Sequence, residues 1–186
     1  MLLLVNDNIA SFDVEAAMPF LSQQRMEKIA LMSNADDRRA SAAAYMLLCE
    51  ALNREYAIAD APVFEYGDYG KPLLQGSDGV HFSMSHCANA VVCAVADFPL
   101  GVDVESLRPY NARLARYTMN DAELSRIESS DAPDVEFIRL WTMKESVAKL
   151  SGRGISNLKN LLTEFDGCIK CVEEIEKGYI YSVAYQ

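Results

Sequence analysis

The chain has no apolar run approaching membrane-spanning length, so nothing in it reads as a bilayer span. Its opening, Met1-Leu2-Leu3-Leu4-Val5-Asn6, lacks a basic flank and turns polar too soon for a signal peptide, which leads us to expect a cytoplasmic protein. Histidine is scarce: only His81 and His86 occur. His86-Cys87 can in principle supply metal ligands, but no second Cys/His pair completes a tetrahedral set. The five cysteines (Cys49, Cys87, Cys93, Cys168, Cys171) are odd in number and lack a framework spacing, so reduced thiols are expected. Cys168-x-x-Cys171 would point its two thiols to opposite faces of a strand, which favours structural thiols over zinc or redox chemistry. Basic residues are outnumbered as well: 17 Lys and Arg against 27 Asp and Glu leave a formal charge of −10. Without a basic surplus there is no counterion-release drive for a nucleic-acid backbone.

What is present is ordinary globular material, 51% apolar and 24% charged over 186 residues. A chain of this size buries roughly 70% of its unfolded surface, as one domain or as two small halves sharing an interface. Leu2 to Val5 reads as a strand, and residues from about Val14 to Met32 carry scattered helical spacing. A strong helix is expected from Arg38 to Tyr56, capped by Asp36 or Asp37. Strands follow at Pro62–Tyr66, Val80–Ser83, Ala90–Ala96 and Val102–Glu105, with a turn cluster over Gly67–Pro72. Asn120 with Glu123 three residues on approximates a capping box, and Asp134–Leu150 makes the next helix. Leu161–Phe165, Ile169–Ile175 and Tyr179–Tyr185 complete the set as strands, with Asp166-Gly167 and Lys177-Gly178 as hairpin-type turns.

Two segments carry the chemistry. In Gly101-Val102-Asp103-Val104-Glu105, read as a strand, the valines share one face, so Asp103 and Glu105 share the other. In Trp141-Thr142-Met143-Lys144-Glu145-Ser146-Val147-Ala148-Lys149, read as a helix, Trp141, Glu145 and Lys149 lie four apart on one face. Two carboxylates on a strand end and a Glu/Lys pair on a helix face can converge on a hard divalent cation and a phosphate held side by side. Singly, each segment also reads blandly, as a solvated strand face or as helix-surface pairing worth roughly 0.2–0.5 kcal/mol. Their combination with Gly70-Lys71-Pro72 and Phe82-Ser83-Met84-Ser85-His86 upstream, in this order, is what raises them above that.

These four motifs, in order and spacing, resemble the 4′-phosphopantetheinyl transferases of the peptide-synthetase-activating type. The similarity runs from about Arg25 to Ser156. It implies an α+β fold of two similar α/β halves with pseudo-twofold symmetry, residues 1–100 and 101–186, packed together with the active site in the cleft between them. The 31 residues after Ile155 imply a second half trimmed at its edge strands. The implied reaction is transfer of the 4′-phosphopantetheine arm of coenzyme A to a serine of an apo acyl or peptidyl carrier protein. Adenosine 3′,5′-bisphosphate leaves, and Mg²⁺ or Mn²⁺ is the cofactor. By resemblance Asp103, Glu105 and Glu145 are metal ligands, and Lys149 and Lys144 match the helix lysines, Lys149 contacting the pyrophosphate. Ser85 and His86 grip the nucleotide phosphates, Lys71 lies beside the adenosine portion, and Arg39 meets the 3′-phosphate. For Arg39 a plain ion pair with Asp36 or Asp37 competes, and Arg25 and Lys28 are both candidates for the same phosphate. Glu145 and Glu123 are the candidate proton acceptors, the latter weighed equally against its capping role. Trp141 is expected to be packing that fixes the helix.

The alternatives are a non-catalytic coenzyme A or carrier-protein binding module and a Mg²⁺-dependent phosphohydrolase. Carriers of the implied class are acidic like this chain, so docking requires a local basic patch. From Ser106 to Asn120 no acidic residue occurs, while Arg108, Arg113 and Arg116 do, the last two on one helical face. The expected protein is thus a monomer that docks its carrier there, with no nucleic-acid or membrane partner.

Overall fold

In the computed structural model, which describes residues 1–154 and 157–186, the chain opens with β1 (Leu2–Asn6), then α1 (Val14–Ala17), α2 (Gln23–Ala30) and the long α3 (Ala35–Tyr56). A two-stranded antiparallel ribbon follows, β2 (Phe64–Tyr66) with β3 (Pro72–Leu74), then β4 (His81–His86), β5 (Val91–Ala96) and β6 (Leu100–Ser106). Three helices come next, α4 (Ala112–Thr118), α5 (Asp121–Glu128) and α6 (Pro133–Ser151). The short α7 (Leu161–Glu164) leads into the hairpin β7 (Cys168–Glu174) and β8 (Tyr179–Tyr185). Ile155 and Ser156, where the motif resemblance ends, lie outside the described residues. Among the described residues no helix is long and apolar enough to cross a membrane.

The fold is mixed α/β. Two three-stranded antiparallel sheets are ordered β1-β5-β4 and β6-β8-β7. In each, the strand that comes third in the chain lies in the middle and a long helix, α3 or α6, intervenes between the first strand and the hairpin. The run Val91–Ala96 is buried at every position because β5 is covered on both faces. Val91, Cys93 and Val95 pack under Ala40, Ala43, Leu47 and Leu48 of α3. Val92, Ala94 and Ala96 meet Leu100, Val102 and Val104 of β6 in a second core between the sheets.

Three local expectations are corrected. Asn34, not Asp36 or Asp37, caps α3, its side chain accepting the Asp36 amide; the two aspartates sit in the first turn, where the helix dipole favours them. Leu161–Phe165 is not a strand but helix α7 with its C-terminal residue. Leu161, Leu162 and Phe165 follow helical spacing and pack on Val147 and Leu150 of α6, and that contact outweighs the strand character of a short apolar run. Asp166-Gly167 therefore joins α7 to β7 instead of turning a hairpin, while Lys177-Gly178 does turn one between β7 and β8.

Candidate active site

The site begins with a glycine. Gly101 lies against the backbone of α6, where a side-chain methyl would collide with the Ser146 carbonyl oxygen and the Leu150 nitrogen. With no Cβ there, α6 lies directly on β6, and the strand's next outward side chains, Asp103 and Glu105, arrive beside the helix face of Trp141, Glu145 and Lys149. Val102 and Val104 turn the other way, into the core between the sheets, as their alternation requires.

Strands β4 and β6 are tied side by side by the Val102 amide, which donates to the Ser83 hydroxyl at 3.0 Å. That brings Ser85 to the cluster. The Lys149 ammonium donates to Asp103 Oδ1 at 2.6 Å and to Ser85 Oγ at 2.7 Å, and Ser85 in turn donates to Asp103 Oδ1 at 2.9 Å. Asp103 is 5% exposed, and its second oxygen, Oδ2, is buried without a hydrogen-bond partner among the described residues. Burial raises its carboxyl above the usual range despite Lys149. Glu145 is half-buried; desolvation, then the charge of Asp103, raise its carboxyl as well, with Glu105 adding and Lys149 opposing. Glu105 accepts the Trp141 indole N–H on Oε1 at 3.1 Å and the Arg108 guanidinium on Oε2 at 2.5 Å.

Beside this cluster lies a cavity of about 240 Å³ lined by Tyr69, Lys71, Met84, Glu145, Lys149 and Gly152. A second cavity of about 230 Å³ shares Gly70, Pro72 and Met84 with it and carries Arg25, Lys28 and His86. Arg25 is 6% exposed, bonded to Ser41 at 3.1 Å and held against the rings of Tyr45 and Phe64. His86 stands at the cavity mouth. Desolvation by the walls, then Lys149, hold its imidazole below the ordinary pKa, with Asp37 opposing.

Of the residues singled out in the sequence, Ser85, Asp103, Glu145 and Lys149 come together with Glu105 at the edge, while His86 lines the adjoining second cavity. Four other predicted residues are engaged elsewhere. Lys144 is wholly buried, its ammonium on the Leu158 carbonyl at 2.6 Å and on Glu123 Oε2 at 2.8 Å. Glu123 also closes the capping box with Asn120, so its carboxylate serves helix α5 and Lys144, and neither residue lines the two cavities. Arg39 pairs with Asp36 at 2.6 Å on the outer side of α3. Lys71 lines the first cavity with its stem, but its ammonium donates at 2.8 Å to the Leu150 carbonyl, near the C-terminal end of α6, where the dipole favours a cation. Sequence reasoning missed Trp141 as a partner of Glu105, although its four-residue spacing from Glu145 already put it on the right face.

A family model described as the 4′-phosphopantetheinyl transferase superfamily matches residues 99–179, from the start of β6 to the start of β8. The 4′-phosphopantetheinyl transferase Sfp of Bacillus subtilis (strain 168) is 29% identical over 145 residues, 76% of this chain and 65% of that protein. The 4′-phosphopantetheinyl transferase psf-1 of Bacillus pumilus is 30% identical over 155 residues, 82% of this chain and 66% of that protein. The chain is thus similar to 4′-phosphopantetheinyl transferases, through the family model over residues 99–179 and through these relatives over most of its own length. A third relative, the 4′-phosphopantetheinyl transferase HetI of Nostoc sp., is 34% identical over 106 residues, 53% of this chain and 45% of its own length. The chain therefore spans just under two thirds of the two Bacillus transferases and under half of HetI.

The resemblance to these transferases implies a divalent cation. Among the described residues no group of three His, Cys, Asp or Glu side chains stands preassembled around one point. The donor chemistry nonetheless fits: Asp103 Oδ2 is an orphaned buried carboxylate oxygen, and Asp103 and Glu105 lie close enough to raise the Glu145 carboxyl. Oxygen-only donors of this kind suit Mg²⁺ or Mn²⁺.

Proposed function

We propose that this protein transfers the 4′-phosphopantetheine group of coenzyme A to a serine of an apo acyl or peptidyl carrier protein. The serine oxygen attacks the phosphorus next to the pantetheine arm and its proton is lost. The bond to the bridging oxygen breaks, and adenosine 3′,5′-bisphosphate departs with that oxygen. One observation carries the reading: Asp103, with one oxygen orphaned and buried and the other on Lys149, stands behind Glu145 and Lys149, which line a cavity adjoining a second one walled by Arg25, Lys28 and His86.

In this reading Asp103, Glu105 and Glu145 hold a Mg²⁺ ion, which when bound supplies charge neutralisation to the pyrophosphate. Lys149, already anchored to Asp103 and Ser85, directs its ammonium charge at the same phosphates. Arg25, Lys28 and His86 receive the remaining nucleotide phosphate, and Glu145 accepts the serine proton directly or through water. Lys144 and Glu123 act as a buried structural pair. The chain is read as two similar halves, 1–100 and 101–186, related by a pseudo-twofold, with the site in the cleft between them; the matching strand order of the two sheets supports this. The protein works in the cytoplasm as a monomer, and the carrier docks on α4. There Arg113 and Arg116 border a surface depression with Leu114 and the exposed Tyr117, and neither arginine pairs with an acid among the described residues.

The test is a mass measurement. An apo carrier incubated with the protein, coenzyme A and Mg²⁺ should gain the mass of one phosphopantetheine group, and excess chelator should prevent it. A panel of fatty-acid, polyketide and peptide carriers then identifies the partner. Release of phosphopantetheine without a carrier would mark a hydrolase instead, and coenzyme A binding with no product at all a binding module.

A further inference from the structure

Glu105 has both carboxylate oxygens occupied, by partners of different kinds. Trp141, on Oε1, is built into α6 and stacked on Phe137 with ring centroids 6.3 Å apart. Arg108, on Oε2, has a side chain 42% exposed and lies in the irregular stretch between β6 and α4, where nothing else holds its guanidinium among the described residues. The three carboxylates of the cluster thus have two cations bonded to them, Lys149 on Asp103 and Arg108 on Glu105. Asp103 Oδ2 has no partner, and the three acids are not drawn together around a point.

We propose that Arg108 is a displaceable counter-ion. It neutralises Glu105 in the metal-free protein and yields Oε2 when a divalent cation joins Asp103 and Glu145. Trp141 keeps Oε1 throughout and so holds Glu105 in orientation, acting as a positioning residue. Arg108, once released, stands free just ahead of Arg113 and Arg116. Metal loading would then add a cation to that basic surface, and an acidic partner that binds Arg108 would tighten the metal by the same factor. The inference rests on the metal reading above.

The probe is Mn²⁺, titrated into the full chain and followed by the electron paramagnetic resonance of the free ion. Arg108→Gln should bind Mn²⁺ about two- to fivefold tighter than the wild type, the range of a partly exposed ion pair, and the gain should shrink at high salt. Arg108→Lys should restore much of the competition. Arg113→Gln, which removes a similar charge without touching Glu105, should change the affinity less, and Trp141→Phe should weaken it. Equal or weaker binding by Arg108→Gln, or an equal gain in Arg113→Gln, overturns the exchange while leaving the metal site standing. Absence of saturable Mn²⁺ binding in the wild type overturns both.

Discussion

Replacing Gly101 by alanine adds a single methyl, yet it should be among the most damaging small changes to this molecule. The added carbon would fall well inside van der Waals distance of the Ser146 carbonyl oxygen and the Leu150 nitrogen. Both are backbone atoms of a helix, so no flexible side chain can move aside. Relief requires α6 to shift off β6. Overpacking of this kind costs about 1–3 kcal/mol. For a chain of this size roughly 2–4 °C is lost per kcal/mol, so the melting temperature should fall by about 2–12 °C. The displaced helix carries Trp141, Glu145 and Lys149, and misplacing catalytic groups by about 1 Å can cost on the order of 100-fold in rate. Circular dichroism melts and the carrier mass-shift assay, run on the same preparation, read the two effects. A variant that melts within about 1 °C of wild type and transfers at an unchanged rate would refute the contact between β6 and α6 on which the site depends.

Glu145→Gln should lower transfer by about 10²- to 10³-fold, since the proposed metal and phosphate site loses a charged group. Because burial and Asp103 raise the Glu145 carboxyl above its ordinary 4.5, ionising it destabilises the metal-free fold. The glutamine variant should therefore melt higher than wild type at neutral pH, with the difference gone below about pH 4.5; a variant that melts lower at neutral pH contradicts the sign. For the same reason Mn²⁺ binding by the wild type should begin to fail, as pH is lowered, above the usual carboxylate range. Lys144→Met leaves Glu123 without its buried ammonium and should cost about 3–5 kcal/mol in a denaturant titration. Its KM for coenzyme A should stay unchanged, and a raised KM would return Lys144 to the ligand site. Charge reversal at Arg113 and Arg116 should weaken carrier association in a salt-dependent way without altering coenzyme A affinity; an unaltered carrier KM at low salt would move docking elsewhere.

Much of the site was legible in the sequence because it depends on short-range periodicity. Alternation along β6 separates Val102 and Val104 from Asp103 and Glu105, and the four-residue repeat on α6 aligns Trp141, Glu145 and Lys149. Both follow from backbone geometry within a few residues. The capping box of Asn120 and Glu123 was readable for the same reason. Which partner each charged group takes was not. Lys144 and Lys149 lie five apart on one helix, yet Lys144 turns inward to Glu123 and the Leu158 carbonyl while Lys149 reaches Asp103 and Ser85. Lys71 directs its ammonium to a helix end 79 residues away, Arg108 sits on Glu105, and the apolar run after Leu161 becomes a helix against α6. Local sequence determined the elements and the faces on which reactive side chains stand. Only the tertiary packing, through the close approach of α6 to β6 over Gly101 and of β6 to β4 through Ser83, decided which charges meet, because a pairing energy depends on distance and burial across segments that the chain order does not bring together.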